Sequence, residues 1–170
     1  MSKYEIPAYK VIKSFKNIEI RQYPSYFIAE VINNKNRNKA ANEAFMTLFN
    51  YINGNNSTNE RIPMTIPVEQ TRQKDHWKLS FITPSKYTLE NIPKPKDEKI
   101  KIRKQSESKR LEIRFSGLIS DSNLNKNKQK LDDYVKENEI KIKSEAIYAF
   151  YNAPFTLPFL RRNEIMYIID

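Results

Sequence analysis

The sequence predicts an α+β protein in which a unit of strand, helix, strand and strand is used twice. Residues 18–21, Ile-Glu-Ile-Arg, are echoed by residues 111–114, Leu-Glu-Ile-Arg. Each segment precedes apolar-rich chain, a helix-like stretch and two strand-like runs, and residues 77–82 have a counterpart in residues 165–169. This duplication indicates one pseudo-symmetric domain. Its two units either pack their sheets face to face or close them into a barrel, with a cleft where they meet.

The first copy contains four main elements after an extended lead-in. Alternating β-branched and aromatic residues predict strands, and Pro24 interrupts the first strand run. An asparagine-rich turn offers N-cap residues to the helix, which stops at Gly54. The predicted elements are a lead-in over residues 1–16, strands over 18–21 and 26–31, a turn over 33–38, a helix over 39–53, and strands over 62–68 and 77–83 around a polar loop over 70–76.

The second copy follows a connector, residues 86–97, which contains two prolines and is too short to link separate domains. The predicted elements are strands over 99–103 and 111–119, a lysine-rich helix over 122–137, and strands over 146–151 and 164–169 around an apolar loop over 154–160. We therefore expect residues 1–170 to form a single domain, with repeat halves at approximately 9–90 and 99–170.

Composition excludes several kinds of site. The chain has 170 residues and no cysteine, which excludes disulfides, thiolate metal sites and cysteine nucleophiles and favours a cytoplasmic protein. Its start lacks an apolar signal segment, and no run approaches about 18 apolar residues, so we expect no membrane span. The only glycines, Gly54 and Gly117, cannot form Walker or Rossmann phosphate loops.

The net charge of +10 is compatible with nucleic acid, anionic lipid or an anionic small ligand as partner. Abundant lysine, asparagine and isoleucine are equally explained by an AT-rich coding bias. The basic segments, residues 99–110 and 126–130, lack the interleaved aromatic side chains on which nucleic-acid readers stack bases. We therefore expect a solvated basic face and no nucleic-acid partner.

Catalytic and metal sites find little support. The only histidine, His76, stands beside Asp75 in the predicted polar loop and is expected to be solvated. One histidine without cysteine argues against a zinc site, and no triad motif surrounds it. No pair of carboxylates has a spacing that indicates general acid/base catalysis. The sequence therefore predicts a protein that is not an enzyme.

The first helix carries a wider apolar arc than one sheet face covers. The arc spans about 180° at 100° per residue, and Met46 lies beyond it. Either another element covers the surplus, or Phe45, Met46 and Phe49 line a pocket or contact surface. The arc comprises Ala40, Ala41, Ala44, Phe45, Leu48, Phe49, Tyr51 and Ile52.

The loop over residues 154–160 is unusual because it carries four large apolar side chains. Either it folds over one end of the barrel as core, or it is a lid on an apolar ligand or a segment that docks a partner. In the second case Phe155 and Phe159 supply apolar contacts, and Arg161 is suited to pairing with a carboxylate. The run Arg-Arg-Asn-Glu over residues 161–164 equally suits a structural ion pair and turn.

Several motifs, in the same order over nearly the whole chain, resemble those of the SOUL/haem-binding protein family. The motifs are Tyr-Lys-Val over residues 9–11, Ile-Glu-Ile-Arg-Gln-Tyr-Pro over 18–24, Phe-Asn-Tyr-Ile-Asn-Gly-Asn-Asn over 49–56, Ile-Pro-Met-Thr-Ile-Pro-Val over 62–68, residues 77–84, Phe-Ser-Gly over 115–117, Tyr-Asn-Ala-Pro over 151–154 and Arg-Arg-Asn-Glu over 161–164.

The resemblance implies a distorted antiparallel β-barrel with two helices and two pseudo-symmetric halves, similar to the effector-binding domains of gyrase-inhibitor-like proteins. It also implies binding of haem or another tetrapyrrole. In some relatives a histidine, proposed as the axial iron ligand, stands where this chain has Gln22. Other relatives bind porphyrin through an apolar surface on the first helix and basic groups for the propionates, and we expect that mode here. Asn42 stands where one family pattern has an arginine on that helix.

The combined prediction is a non-enzymatic protein that binds haem or another porphyrin reversibly, for buffering or transport, without an axial histidine and without a metal ligand of its own. The alternative is a protein-interaction or general apolar small-molecule-binding module on the same fold, for which a protein partner is possible. The predicted cofactor-binding residues are Phe45, Met46, Phe49, Phe155, Phe159 and Arg161.

Overall fold

The computed structural model describes residues 3–34 and 36–170. Residues 1 and 2 of the predicted lead-in and residue 35 of the predicted turn lie outside the described residues. The α+β class is confirmed by strands and two helices in the described chain. The elements are β1 Lys10–Phe15, β2 Ile18–Tyr23, β3 Tyr26–Asn33, α1 Arg37–Ile52, β4 Val68–Gln73, β5 His76–Ile82, β6 Ile100–Gln105, β7 Ser108–Phe115, α2 Asp121–Glu137, β8 Ile147–Phe150 and β9 Asn163–Ile169.

The described chain divides into two compact units. Unit 1 comprises residues 3–7 and 25–106, and unit 2 comprises residues 8–24 and 107–170. Strands β1 and β2, from the start of the chain, therefore belong to unit 2, whereas β6 belongs to unit 1. The single domain with repeat halves along the sequence stays a prediction, because the two units are defined by contacts and not by repeats.

Unit 1 is an antiparallel sheet in the order β4-β5-β3-β6, with α1 packed against β3 and β5. The helix begins where the side chain of Asn36 accepts a hydrogen bond from the backbone N–H of Lys39, and it ends before Gly54, whose φ is +112°. Burial of apolar side chains between helix and sheet stabilises the unit. The buried core residues are Ala29, Val31, Ala44, Leu48, Tyr51, Ile52, Ile62, Leu79, Phe81 and Ile100.

Unit 2 is an antiparallel sheet in the order β1-β2-β7-β9-β8, with α2 packed against β7 and β9. The side chain of Ser120 caps the start of α2 by accepting from the N–H of Asn123. The apolar stripe of the helix is narrow, because most of its other residues are charged or polar. The buried core residues are Ile18, Leu111, Ile113, Leu131, Ala146, Ile165, Tyr167 and Ile169.

The predicted β-barrel is wrong. In the described chain β1 pairs only with β2, and β6 pairs only with β3, so the strands do not close on themselves. All six residues of β1 are exposed, and Lys10 and Lys13 place charge along this free edge. Charged side chains on an edge strand discourage further pairing, which is how open sheets avoid association.

Residues 62–76 also differ from the prediction. Residues 62–67 form no strand, because Pro63 and Pro67 lack the N–H that a ladder requires. The predicted polar loop, residues 70–76, instead contains most of β4, the turn and the start of β5, with Gln73 opposite His76. Lys74, with φ at +52°, supplies the left-handed residue of this tight turn. The polar side chains of β4 are partly buried or exposed, which is why the strand resembles a loop in sequence.

The echo between residues 18–21 and 111–114 marks two neighbouring strands rather than one element in two copies. Glu19 of β2 lies directly opposite Glu112 of β7 in an antiparallel pair. By element order, the counterpart of β7 is β3, since each precedes a helix. These two strands share one burial pattern, with residues 28–31 and 110–113 buried.

Gly117 is expected to tolerate alanine less well than Gly54. Both glycines have positive φ, where an alanine costs about 1–2 kcal/mol. A Cβ on Gly117 would also lie 2.7 Å from Nδ2 of Asn123, which is held by hydrogen bonds to the carbonyls of Ser116 and Leu118. At Gly54 the nearest atom is 3.6 Å away.

We therefore expect Gly117→Ala to lower the free energy of unfolding by about 1 kcal/mol more than Gly54→Ala, because a hydrogen bond of Asn123 must be given up. Urea denaturation of the two variants measures this difference. Equal losses of stability would show that Asn123 rearranges without cost.

Candidate functional site

The predicted residues of the first helix form one exposed surface of unit 1, which we call the α1 surface and define as Phe45, Met46 and Phe49. The rings of Phe45 and Phe49 are nearly parallel, with centroids 5.9 Å apart and planes inclined by 14°. The Phe45 ring also meets the buried Phe81 ring edge-on at 5.4 Å. Met46 and Phe49 remain 52% and 38% exposed. The surface is thus anchored in the core on one side and open on the other.

An open groove of about 440 Å³ lies on the other flank of α1. Glu43 and Thr47 face it, and at 100° per residue they point away from Phe45 and Phe49. His76 reaches this groove from the start of β5. The Asn33 amide donates to Oε2 of Glu43 at 3.1 Å. The groove is lined by Val31, Ile32, Asn33, Asn34, Glu43, Ala44, Thr47, His76 and Lys99.

The predicted loop contacts belong to unit 2. Phe155 and Phe159 are 90% and 72% exposed, so this loop is not core. Arg161 turns back on the loop, where its Nε donates to the carbonyl of Thr156 at 2.8 Å and its Nη2 donates to the carbonyl of Pro154. The guanidinium therefore organises the loop backbone. The α1 surface and the loop belong to different compact units.

A charge cluster is buried in unit 2 on the sheet face opposite α2. Arg21 of β2 lies between two glutamates: its Nη2 contacts Oε1 of Glu112, and its Nη1 is 3.3 Å from Oε2 of Glu164. The two glutamate side chains are 1% and 0% exposed. They face away from the helix because Leu111 and Ile113, on either side of Glu112, occupy the core face of β7.

Glu164 has further partners in this cluster. Tyr151 donates its hydroxyl to Oε2 of Glu164 at 2.7 Å, and Nε of Arg162 donates to Oε1 at 2.9 Å. The Arg162 guanidinium also lies over the Tyr151 ring, 4.0 Å from its centroid. The Glu164 carboxylate is therefore well compensated, with Arg162, Tyr151 and Arg21 around it. Such a fully paired carboxylate is a structural anchor.

Glu112 is less well compensated. It shares Arg21 with Glu164, and the Tyr23 hydroxyl donates to its Oε2 at 3.3 Å. Burial, with the repulsion of the Glu164 carboxylate, raises the pKa of Glu112 to about 8 against the attraction of Arg21. Burial likewise raises the pKa of Tyr23 above its ordinary range. The pKa of Glu112 is therefore raised toward the neutral range.

Unit 1 buries a glutamate at the corresponding place. Glu30 of β3 lies 2.8 Å from Nε of Arg103 and 3.5 Å from Nζ of Lys78. Burial lowers the pKa of Lys78, against the attraction of Glu30. In both units an arginine from a neighbouring strand reaches the glutamate that precedes the helix by a few residues. This shared pairing of a buried glutamate with an arginine supports the correspondence of β3 with β7.

Two further positions singled out in the sequence are Gln22 and Asn42. Gln22 is half-buried in unit 2, and its amide donates to the carbonyl of Tyr23 at 3.5 Å. Asn42 is exposed on α1, in a recess that Lys39 and Glu43 also line. In the part of the chain that the structure describes, no three His, Asp or Glu side chains are placed to share a metal ion. Neither α1 nor α2 has the length and apolar composition that crossing a bilayer demands.

Sequence reasoning missed the groove and most of the charge cluster; only the structural ion pair offered for residues 161–164 is present, between Arg162 and Glu164. The groove combines residues of three separate elements, and no local pattern joins them. The cluster had a partial signal, since Arg21 follows Glu19 at strand spacing and Arg162 precedes Glu164 in the same way. In extended chain that spacing places the two charges of each pair on one face.

Glu112 is expected to make the free energy of unfolding fall as pH rises. Its folded pKa, about 8, exceeds the ordinary value of 4.5, so the folded state binds more protons than the unfolded state between these pH values. The stabilising contribution is complete below pH 4.5 and is lost as pH rises through about 8. Thermal unfolding midpoints across this range measure it.

Glu112→Gln should flatten this pH dependence, because the amide keeps the shape of the side chain but does not titrate. Glu19→Gln is the matched control: it removes a half-buried partner of Arg21 and a minor source of the repulsion that raises the pKa of Glu112, but it leaves the Glu112 carboxyl in place and should keep most of the slope. A slope that persists in Glu112→Gln would assign the proton uptake to another group.

Solved structures share this fold at low sequence identity. A hydrolase from Listeria innocua has a TM-score of 0.61 and 9% identity, with 94% of each chain covered. The EcmrR C-terminal domain has a TM-score of 0.65 and 9% identity, over 95% of this chain and 98% of that one. SAV2435 bound to tetraphenylphosphonium has a TM-score of 0.54 and 10% identity, over 90% and 93% of the chains. At such identities the likeness shows the fold alone.

The comparison with protein families is more specific. No curated protein matches the sequence. The profile of the family described as SOUL heme-binding protein, however, matches residues 4–168. This span includes both helices and every strand of the described chain apart from the last residue of β9. The chain therefore belongs to the SOUL heme-binding protein family.

Proposed function

We propose that this protein binds haem or a related tetrapyrrole reversibly through the α1 surface, and that it buffers or carries the macrocycle without catalysing a reaction. Membership of a heme-binding family supports the class of ligand. The observation that carries the choice of surface is the exposure of Met46 and Phe49 beside the nearly parallel ring of Phe45.

The α1 surface suits a flat aromatic ligand. A porphyrin face can stack in an offset arrangement on the Phe49 ring, and such aromatic pairs contribute about 0.5–1.5 kcal/mol beyond the area they bury. The Met46 thioether adds a polarisable contact of about 0.3–1.5 kcal/mol against an aromatic ring. Because Phe45 is held against Phe81, the orientation of the surface is set before a ligand arrives.

The same side of α1 carries polar groups that suit the propionates of a tetrapyrrole. Lys39 and Asn42 lie within about 40° of Met46 around the helix axis at 100° per residue. Lys39 is two turns from Met46, about 10 Å along the axis, and Asn42 is one turn away. Both side chains are exposed and line one recess together with Glu43, whose carboxylate accepts a hydrogen bond from the Asn33 amide. Lys39 thus supplies the cation for one carboxylate, and Asn42 supplies a hydrogen-bond donor.

We propose that binding does not use a histidine ligand. His76 faces the groove on the other flank of α1 and not the α1 surface. Gln22, the residue at the position of the histidine in some relatives, is a poor iron ligand. Phe155, Phe159 and Arg161 stay predicted contacts of the macrocycle, and the α1 surface does not depend on them.

A second candidate is a general apolar small-molecule-binding module. SAV2435, which shares the fold, is described as bound to tetraphenylphosphonium, a lipophilic cation. In this chain the groove beside Glu43 and Ile32 combines a carboxylate with apolar surface, which suits such a cation. Titration with tetraphenylphosphonium and with haemin separates the two candidates, because the first ligand is cationic and the second carries propionates. If the protein instead binds another protein, a pull-down should recover one stoichiometric partner and no porphyrin.

The same proposal includes a cytoplasmic location and no nucleic-acid partner. The absence of cysteine from the sequence supports the location. The basic segments carry no recognition motif for nucleic acid. A hydrolase shares the fold, but 9% identity transfers no activity to this chain.

Phe49→Ala is expected to weaken haemin binding about tenfold, because Phe49 is already partly buried and the lost stacking ring contributes about 1.5 kcal/mol. Titrating the purified protein with haemin and following the Soret band measures the effect. Met46→Ala should weaken binding by a smaller factor. Phe45→Ala is less informative, since this ring also packs against the core.

His76→Ala is the control for this titration and should leave the Soret spectrum and the affinity unchanged. A spectrum that is lost in His76→Ala would show that the imidazole ligates iron and would move the site to the groove. The absence of any saturable spectral shift with the unmodified chain would contradict the proposed function itself.

A further inference from the structure

The loop between β8 and β9 exposes an unusual concentration of apolar side chains. We call it the apolar knob and define it as Phe155, Leu157, Phe159 and Leu160, with Leu118 from the loop between β7 and α2. All five side chains are more than half exposed. Exposed aromatic and leucine side chains at this density mark an interaction surface rather than ordinary surface variation.

The knob is held rigidly by its own backbone contacts. Arg161 donates to the carbonyls of Pro154 and Thr156, and the N–H of Gly117 donates to the carbonyl of Pro158 at 2.9 Å. Within the loop, the N–H of Thr156 bonds the carbonyl of Ala153 at 3.0 Å. Four loop carbonyls, those of Ala153, Pro154, Thr156 and Pro158, thus have donors from the protein, so they can leave water without losing their hydrogen bonds. Little ordering is required when the knob docks.

Exposed cations lie at the same end of the unit 2 sheet. The turn that joins β1 and β2 contains Lys16 and Asn17, and Asn17 bonds the backbone of Arg114 in both directions, at 2.8 and 2.9 Å. Arg114 is at the end of β7, three residues before Gly117, which contacts the knob. Lys16 and Arg114 are both exposed. The knob is therefore flanked by positive charge in a chain whose net charge is +10.

We propose that the apolar knob docks on the surface of an anionic lipid bilayer and inserts Phe155 and Phe159 into its interface. Aromatic and leucine side chains are favoured at that depth, and neighbouring lysine and arginine side chains are attracted by anionic headgroups. A protruding surface fits a deformable bilayer without a matching cavity. Charge complementarity selects the anionic bilayer over a neutral one. The proposal does not rest on tetrapyrrole binding, since it needs no macrocycle.

Sedimentation with lipid vesicles tests the proposal. The full chain is mixed with phosphatidylcholine vesicles, with or without a minor fraction of phosphatidylglycerol, and the bound fraction is measured at low and moderate salt. We expect saturable binding to the anionic vesicles, weakened by salt, and little binding to the neutral ones. Phe155→Ser combined with Phe159→Ser should weaken binding tenfold or more, as expected for about two inserted rings.

Two further variants sharpen this test. Leu89→Ser removes an exposed leucine of unit 1 and should bind as the unmodified chain does. Lys16→Asn, which suits the positive φ at this position, should weaken binding about fivefold at low salt, as expected for one lysine near an anionic surface. Circular dichroism verifies that each variant is folded.

Three results would overturn the proposal. The first is an unmodified chain that stays in the supernatant with anionic vesicles at low salt. The second is a double variant that binds as tightly as the unmodified chain. That result would show that electrostatic attraction accounts for binding without insertion of the two rings. The third is lipid-free dimerisation that the double variant abolishes, which would assign the knob to a second copy of the chain. The haemin titration, done without vesicles, is unaffected by any of them.

Discussion

The sheet of unit 2 depends on one buried interaction, the Arg21 guanidinium between the carboxylates of Glu112 and Glu164. It connects β2, β7 and β9, three strands that are adjacent in the sheet. Loss of Arg21 would leave two buried carboxylates without their shared cation. Removing one partner of a buried ion pair typically lowers the free energy of unfolding by about 3–5 kcal/mol. A slip of one residue in β2 would turn Arg21 toward the apolar core under α2. The cluster therefore specifies strand register more than it adds net stability.

The same cluster determines how the chain presents its exposed apolar loop. Glu164 binds Arg162, while the preceding residue, Arg161, turns outward and bonds the loop carbonyls. The two adjacent arginines thus have different partners: Arg162 pairs with the buried Glu164, and Arg161 bonds the loop backbone. Since β9 is fixed through Glu164, the loop that leads into it has a defined start and shape. The loop that carries the exposed Phe155 and Phe159 therefore joins β9 next to the buried Arg162–Glu164 ion pair.

Local patterns predicted the helices well and some of the strands poorly. Asn36 and Ser120 are ordinary caps, and the periodicity that follows each of them needs no distant partner to be recognised. Strand β4 was missed because its half-exposed polar residues resemble a loop, and residues 62–67 were overpredicted although Pro63 and Pro67 break the ladder. At the site, the wide apolar arc of α1 identified the α1 surface, but nothing local indicated the groove on its other flank.

The sequence by itself determined the α+β class, both helices, the exclusion of cysteine chemistry and, through motifs in order, the family. These follow from residue type and short-range spacing, which are independent of how the chain folds back on itself. Only the tertiary structure decided that the strands stay open, that the echoed segments are neighbours, and that Arg21 meets Glu164, 143 residues away. It alone decided which apolar side chains remain exposed, because spacing sets the face of an element and packing sets what covers that face.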